Sequence, residues 1–423
     1  MGAEIQKPRL ASLLARLDGP RARGMVRILL LAFVLRLVWA LLVPVLPVSD
    51  ASMYDMFARR IARGLGYSFP DGGPTLFWAV GTSALYGGLY WLAGIHVAIV
   101  VAANLAMGTV LVWITGCVAE RWFGRTAGLL AALAMALWPM WIELTTVISS
   151  ELPFTLLLAA AVLARRSRLP WWARTLLSTV LLVAATYVRP LSLPLIVLLP
   201  AFDLVRHRRP PRAAAEVGIA LLVTAVLIGP WAMRNDRLFG RPVLVSANFG
   251  ANLWMGNHPG TWGGYVDMPE TGETNEVRRD EVLKARAIAF IREQPSEFLR
   301  LCLVRLHLSF DRETIGIVWN GEGIPSRLHF PLKLVSAGWW LLVFALGIGG
   351  AAVFVQAVWL RLFDPLIVAP GLVFAVALLV VGQDRYHAPM DPFVAVLGAA
   401  LLLGRAKMRN KPAKAVATQH APV

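Results

Sequence analysis

The sequence predicts an all-α integral membrane protein, a polytopic bundle of about ten transmembrane helices with juxtamembrane helices in its first outer loop. Hydrophobic residues make up 57% of the 423, and the mean hydropathy is +0.63. Apolar runs near the length of about 20 residues needed to cross a bilayer recur along the chain. Short basic segments separate them, so the net charge of +16 reads as a positive-inside bias and not as affinity for nucleic acid.

Residues 1–24 form a basic N-terminus with Lys7, Arg9, Arg16, Arg21 and Arg23, expected in the cytoplasm. No small-residue cleavage site follows the first apolar run, Met25 to Leu46, which therefore reads as a retained span. A first outer loop follows at 47–95. Within it, Ala51 to Leu65 carries Met53, Tyr54, Phe57 and Ile61 at helical spacing, with Arg59, Arg60 and Arg63 elsewhere, the pattern of a helix lying in the interface. A Gly/Pro-rich hinge leads to PTLFWAVGTSALYGGLYWLAG, too polar and glycine-rich for a span, which reads as a second juxtamembrane or re-entrant helix.

Further spans are expected near His96 to Val118, Ala127 to Val147, Leu152 to Leu163, Leu176 to Val188, Leu191 to Leu204, Ala214 to Trp231, Leu332 to Val355, Leu366 to Val381 and Pro389 to Leu403. Alternation from a cytoplasmic N-terminus then puts the Arg121, Arg165 and Arg206 clusters, Arg361 and a basic tail at 405–423 on one side. The domain plan is a catalytic membrane domain over 25–404 with a large outer loop at 232–330. That loop reads as turn-rich from Arg234 to Thr274, then as an amphipathic helix from Glu276 to Gln294, a break at Pro295 and a resumption to about Phe310. Cys117 and Cys302 imply neither a disulfide framework nor a thiolate metal site. No internal repeat is evident, which weighs against transporters built from similar halves.

Asp50, Glu151, Arg189 and Arg385 all fall at the ends of apolar spans on the face opposite the basic clusters. Charge at mid-helix costs about 2.5–3.5 kcal/mol per residue on insertion scales, so such groups usually face a cavity and act there. Asp50, with Tyr54 one turn later, is either a helix cap or a partly desolvated general base with a raised pKa. Glu151 is either a first-turn acid favoured by the helix dipole or a second acid of the site. Arg189, before Pro190, either snorkels or holds an anion. The run QDRYHAPMDP packs Asp384, Arg385, Tyr386, His387 and Asp391 into one short loop. Arg234, Asn252, Trp254, Asn257 and His258 supply amide, aromatic and basic groups suited to sugars. His258 and His387 are candidate metal ligands whose separation in space the sequence does not define.

In order along the chain stand Ser49, Asp50 and Tyr54; Gly66 and Tyr67; Pro74 to Gly81; RWFGRTAGLLAAL from Arg121; Ser150 and Glu151; and Arg189 with Pro190. PWAMRNDRLFGRPVLVSANFGANLWMGNHPG from Pro230, IREQPSEFLRL from Ile291, then Arg385, Tyr386 and Pro389 complete the series. In these pieces nearly the whole chain, from Met25 to Leu403, resembles the polyprenyl-phosphate-dependent GT-C glycosyltransferases. The likeness is to the bacterial branch similar to protein mannosyltransferases and lipid A aminoarabinose transferases.

The resemblance implies a polyprenyl-phosphate sugar donor, an envelope lipid, glycan or protein acceptor, and inverting transfer on the non-cytoplasmic face of a bacterial plasma membrane. By it Asp50 is the catalytic base, Glu151 the second acid, and Arg189 and Arg385 the holders of the donor phosphate. A divalent cation stays open and no organic cofactor is expected. Ala51 stands where many relatives carry a second acid, and Ala79 and Val80 replace a proline pair. The alternatives are a lipid-linked glycan polymerase and a transporter or flippase for a lipid-linked or anionic solute. The transporter predicts broken helices and charges through the membrane depth.

Overall fold

A computed structural model describes residues 20–207 and 210–404, and the basic segments at 1–19 and 405–423 lie outside the described residues. Among the described residues every regular element is helical. The helices are α1 (Pro20–Leu42), α2 (Asp50–Ala62), α3 (Val80–Ala93), α4 (Val97–Phe123), α5 (Arg125–Ala136), α6 (Pro139–Glu143), α7 (Glu151–Arg165) and α8 (Trp171–Val188). They continue as α9 (Leu193–His207), α10 (Pro210–Phe239), α11 (Phe249–Gly256), α12 (Glu276–Glu293), α13 (Pro295–Phe310) and α14 (Ile315–Trp319). The last three are α15 (Ser326–Ala357), α16 (Pro365–Leu379) and α17 (Asp391–Leu402).

All ten expected apolar runs are helical, but they differ in kind. By length and composition, five described helices suffice to cross a membrane: Arg23–Leu42 within α1, then α4, α8, α10 and α15. A sixth arises if Arg125–Ala136 and Pro139–Thr146, bent by 61°, count as one broken span; three apolar helices are shorter. The long helices leave large apolar side chains exposed, including Leu30 and Leu41 on α1, Leu222 and Val226 on α10, and Leu334 and Leu342 on α15. Exposed apolar surface on this scale is stable against acyl chains and not against water. The chain is a multi-pass helical membrane protein.

The expected span Ala127 to Val147 is thus corrected to two helices, and Pro139 is the reason. Proline has no N–H to donate to the carbonyl four residues back, that of Met135. The fully buried Arg36 of α1 takes the place of the missing donors, with Nη2 3.3 Å from the Met135 carbonyl and Nη1 3.4 Å from that of Ala136. A cation amid apolar helices is tolerated because it satisfies backbone groups that a break would otherwise orphan.

Where two juxtamembrane helices are predicted, the chain forms α2 and α3, packed on each other. Asn275 caps α12, its side chain accepting from the N–H groups of Val277 (3.0 Å) and Arg278 (3.3 Å), and Pro295 opens α13. The stretch read as turns from Arg234 to Thr274 needs correction, since α10 runs on to Phe239 and α11 interrupts the remainder. α11 escaped notice because eight residues with two glycines carry little helical pattern; its glycines serve close packing. A Cβ on Gly256 would run into the Val380 backbone just past α16, so α11 can lie against α16 only with glycine there.

Replacing Arg36 by methionine keeps apolar volume but strands the Met135 and Ala136 carbonyls. Unfolding in detergent should then show a loss on the order of 1–3 kcal/mol; an unchanged melting temperature would refute this role.

Candidate active site

Asp50 is the first residue of α2, and its backbone is set by an unusual neighbour. Ser49 has φ +52°, the only positive φ at a non-glycine among the described residues. Such conformations cost about 1–3 kcal/mol and persist where surrounding structure imposes them. Ser49 makes no side-chain capping bond, and the Asp50 carboxylate is not spent on capping either. It reaches across the molecule: Arg385 Nη1 lies 2.8 Å from Oδ2, and the Trp78 indole N–H donates to Oδ1 at 3.2 Å.

Glu151 opens α7 and is almost wholly buried. It pairs with Arg189, whose Nε also donates to Ser150 Oγ at 2.9 Å, and its Oε1 lies 4.0 Å from Arg385 Nη1. The four groups therefore form one chain of charge, Asp50 to Arg385 to Glu151 to Arg189, gathered from the starts of α2 and α7, the turn after α8 and the loop after α16. Gly81 makes this possible on one side. A Cβ there would sit 2.5 Å from the Tyr187 carbonyl, so only glycine lets α3 approach the backbone just before Arg189.

A cavity of about 830 Å³ opens beside this chain. Asp50, Tyr54, Trp78, Ser150, Arg189, Arg385 and Tyr386 lie along it. Val373, Val376 and Ala377 of α16 with Val380 make an apolar wall, continued by Val188, Leu191 and Pro194. Glu276 and Arg279, one turn apart on α12, line another side with Phe77, Asn248, Asn252 and Tyr265. Glu276 also fixes the first loop, accepting from the N–H of Leu76 at 2.5 Å and from Thr75 Oγ1 at 3.0 Å.

Of the residues singled out in the sequence, Asp50, Tyr54, Arg189, Asn252, Arg385 and Tyr386 line the cavity. Glu151 does not; it sits behind them in a closed nook with Asp50, Tyr54, Ser149, Trp319 and Arg385. Five others do not line the cavity. Arg234 lies over the Trp231 ring and donates to the Tyr67 carbonyl at 3.2 Å. Trp254 and His258 stack on each other at 4.0 Å. Asn257 is buried and donates to the carbonyls of Leu253 and Leu379. His387 is buried against Trp340, 3.7 Å between ring centroids.

Trp78, Glu276, Arg279 and Tyr265 were missed as site residues. For Glu276 and Arg279 the signal was their i, i+3 spacing on one face of an amphipathic helix, where helical geometry makes them neighbours.

Burial pushes the Asp50 carboxyl up, but the charge and hydrogen bond of Arg385, the Trp78 hydrogen bond and the charge of Arg189 outweigh it. The net effect holds Asp50 below its ordinary value. The raised pKa expected from the sequence is thereby reversed, because two arginines that sequence order keeps apart converge on it. Asp50 and Glu151 are each engaged by a guanidinium, so this pair is matched to arginine and does not form an uncompensated ligand set for a cation.

A carboxyl held low stabilises the fold above its unfolded-state pKa, and that contribution is lost as pH falls through the folded-state value. Asp50→Asn should remove this acid-side slope. Wild type and variant melting curves should converge toward low pH and differ most near neutrality; parallel curves would refute the coupling.

No protein-family model and no curated protein sequence matches the chain. Among solved structures it is similar to the oligosaccharyltransferase AglB from Archaeoglobus fulgidus in complex with an inhibitory peptide and a dolichol-phosphate. That likeness has a TM-score of 0.53 and 14% identity, covering 90% of this chain and 50% of that one. The apo crystal structure of the A. fulgidus oligosaccharyltransferase gives a TM-score of 0.53 at 13% identity, covering 92% and 50%. ArnT from Cupriavidus metallidurans in the apo state gives 0.42 at 14% identity, covering 90% and 77%. The chain spans about half the length of the oligosaccharyltransferase structures it matches. In fold, nine-tenths of the chain is similar to about half of the A. fulgidus oligosaccharyltransferase.

Proposed function

We propose that this protein is a membrane glycosyltransferase that transfers a sugar from a polyprenyl-phosphate donor to an envelope lipid, glycan or protein acceptor, with inversion. The observation that carries the reading is the crossed carboxylate–arginine chain along a cavity with one apolar wall and one polar, aromatic side. An isoprenoid tail suits the α16 wall, its phosphate suits the arginines, and the sugar suits the amide and aromatic groups of Asn248, Asn252, Trp78 and Tyr386. The AglB structure that holds a dolichol-phosphate supports the same class of donor here.

In the reaction proposed, an acceptor hydroxyl oxygen forms a bond to the anomeric carbon as the bond from that carbon to the phosphate oxygen breaks. The electron pair leaves with the phosphate, and the hydroxyl proton passes to Asp50. Arg385 and Arg189 meet the leaving charge; guanidinium forks stay ionised and bind phosphate bidentately. A phosphate that engages Arg385 also competes with Asp50 for it. Donor binding thus weakens the interaction that holds the Asp50 carboxyl low and makes it a better base at the moment it is needed. Glu151, buried behind, keeps Arg189 in place and is a positioning residue in this scheme.

The site belongs on the extracytoplasmic face of a bacterial plasma membrane in this reading, opposite the basic segment around Arg168. In a background without Cys117 and Cys302, Thr274→Cys should react with an impermeant thiol reagent in intact cells and Leu169→Cys should not. The reverse pattern would overturn the orientation.

Asp50→Asn retains shape but not basicity and should lower kcat by about 10²–10⁴, with donor binding retained. Arg385→Ala should weaken donor binding by on the order of 1.5–3 kcal/mol, and Arg385→Lys by less, because the charge remains and only the fork is lost. Turnover and binding of a purified polyprenyl-phosphate sugar check both. Near-normal turnover in Asp50→Asn would reassign the base, and unchanged donor binding in Arg385→Ala would reassign the phosphate site.

A further inference from the structure

Glu313, His387 and Asp391 come from three places: the turn after α13, the loop after α16 and the first residue of α17. All three are fully buried, and one ligand-capable atom from each lies within 4.8 Å of the others. None of them lines the cavity described above.

The hydrogen bonds around the three give each side chain one fixed atom. His387 Nδ1 lies 2.7 Å from the Ser309 carbonyl, so that nitrogen carries the proton and Nε2 turns toward Glu313 Oε1, 3.1 Å away. The Trp138 indole N–H donates to the other oxygen of Glu313 at 2.8 Å. Trp141 does the same for Asp391 Oδ2 at 2.9 Å. Asp391 Oδ1 is left buried with no hydrogen-bond partner, as is the hydroxyl of Ser309, the residue whose carbonyl holds His387.

Charge is also unbalanced. Among the described residues the one basic side chain paired with either carboxylate is the imidazole of His387. The other ionisable groups near the cluster are Glu143, whose Oε2 is buried and unpartnered, and Asp384, whose carboxylate accepts from Thr314. Neither supplies a positive charge. An unpaired carboxylate in a dry interior is strongly unfavourable.

We propose that Glu313, His387 and Asp391 bind a zinc ion. Two carboxylates neutralise its charge, and imidazole nitrogen with carboxylate oxygen is a zinc donor set at about 2.0–2.2 Å. Ligands around a tetrahedral ion at that distance stand about 3.4 Å apart, close to the His387–Glu313 separation, so small side-chain shifts close the site. Calcium and magnesium are poorly served, since both favour six or more oxygen ligands or retained waters. The outer hydrogen bonds from Trp138, Trp141 and the Ser309 carbonyl are the kind that orient ligands and set the histidine tautomer. The ion would tie the turn before α14, which places Trp319 under the Arg385 guanidinium, to the loop that carries Arg385 itself.

The test uses full-length protein purified in detergent without chelators. Elemental analysis should find about one zinc per chain after desalting. Protein stripped with a chelator and titrated with Co²⁺ should develop the visible absorption of a low-coordinate site, and Zn²⁺ should displace it. Trp141→Phe removes only the hydrogen bond to Asp391 and should weaken Zn²⁺ binding by roughly 10- to 100-fold while the protein stays monodisperse. Asp391→Asn should lose the ion. Folded wild-type protein that holds no zinc above background and gives no Co²⁺ absorption would overturn the proposal and leave a proton-sharing network. Full zinc retention in Asp391→Asn would overturn it equally, by placing the ion elsewhere.

Discussion

Every ionised group near the hydrocarbon layer of this molecule needs compensation within reach of its own side chain, and that constraint organises the rest. Arg36 meets it with carbonyls exposed by a broken helix. Arg165 meets it with Asp203 and Glu216, and Arg166 with Asp364, tying α7 to α9, α10 and the start of α16. Asp50, Arg385, Glu151 and Arg189 meet it with one another. The first three solutions are closed; the last faces a cavity, and its partners are the kind that a phosphate and a hydroxyl can replace.

Crossed pairing has a chemical consequence. Arginines locked to carboxylates are pre-oriented without being left uncompensated, so under the proposed function a donor phosphate would exchange one anionic partner for another instead of filling a vacant cationic hole. Asp50 is kept ionised by the same contact. The left-handed backbone of Ser49 belongs to this arrangement: it turns the chain sharply before α2, so that the carboxylate aims at Arg385 and leaves the helix end uncapped.

Residue type alone misled where polar groups serve the backbone. From Arg234 to His258 the amides and rings look like a sugar site, yet Asn257 bonds to carbonyls at the ends of α11 and α16, and Trp254 and His258 satisfy each other. Asn248, Phe249 and Asn252 do line the cavity. The loop from Gln383 splits in three directions: Asp384 to Thr314, Arg385 and Tyr386 to the cavity, His387 to a dry cluster under Trp340. Consecutive residues in a tight turn point apart, so dense charge in one loop does not mean one site.

The sequence by itself determined the helical membrane class, the helices α2 and α3, the amphipathic α12 with its break at Pro295, and the four charged residues singled out between apolar runs. Each rests on local physics: the period of apolar residues, the missing N–H of proline, the cost of charge beside lipid. Tertiary structure decided which carboxylate meets which arginine, that Asp50 is held low and not raised, that Glu151 stands behind the cavity, and that Glu276 and Arg279 line it. It also decided that Glu313, His387 and Asp391 converge. These outcomes depend on contacts between segments as far apart as Asp50 and Arg385, and on close helix approaches that single glycines permit; no local pattern in a chain records such distances.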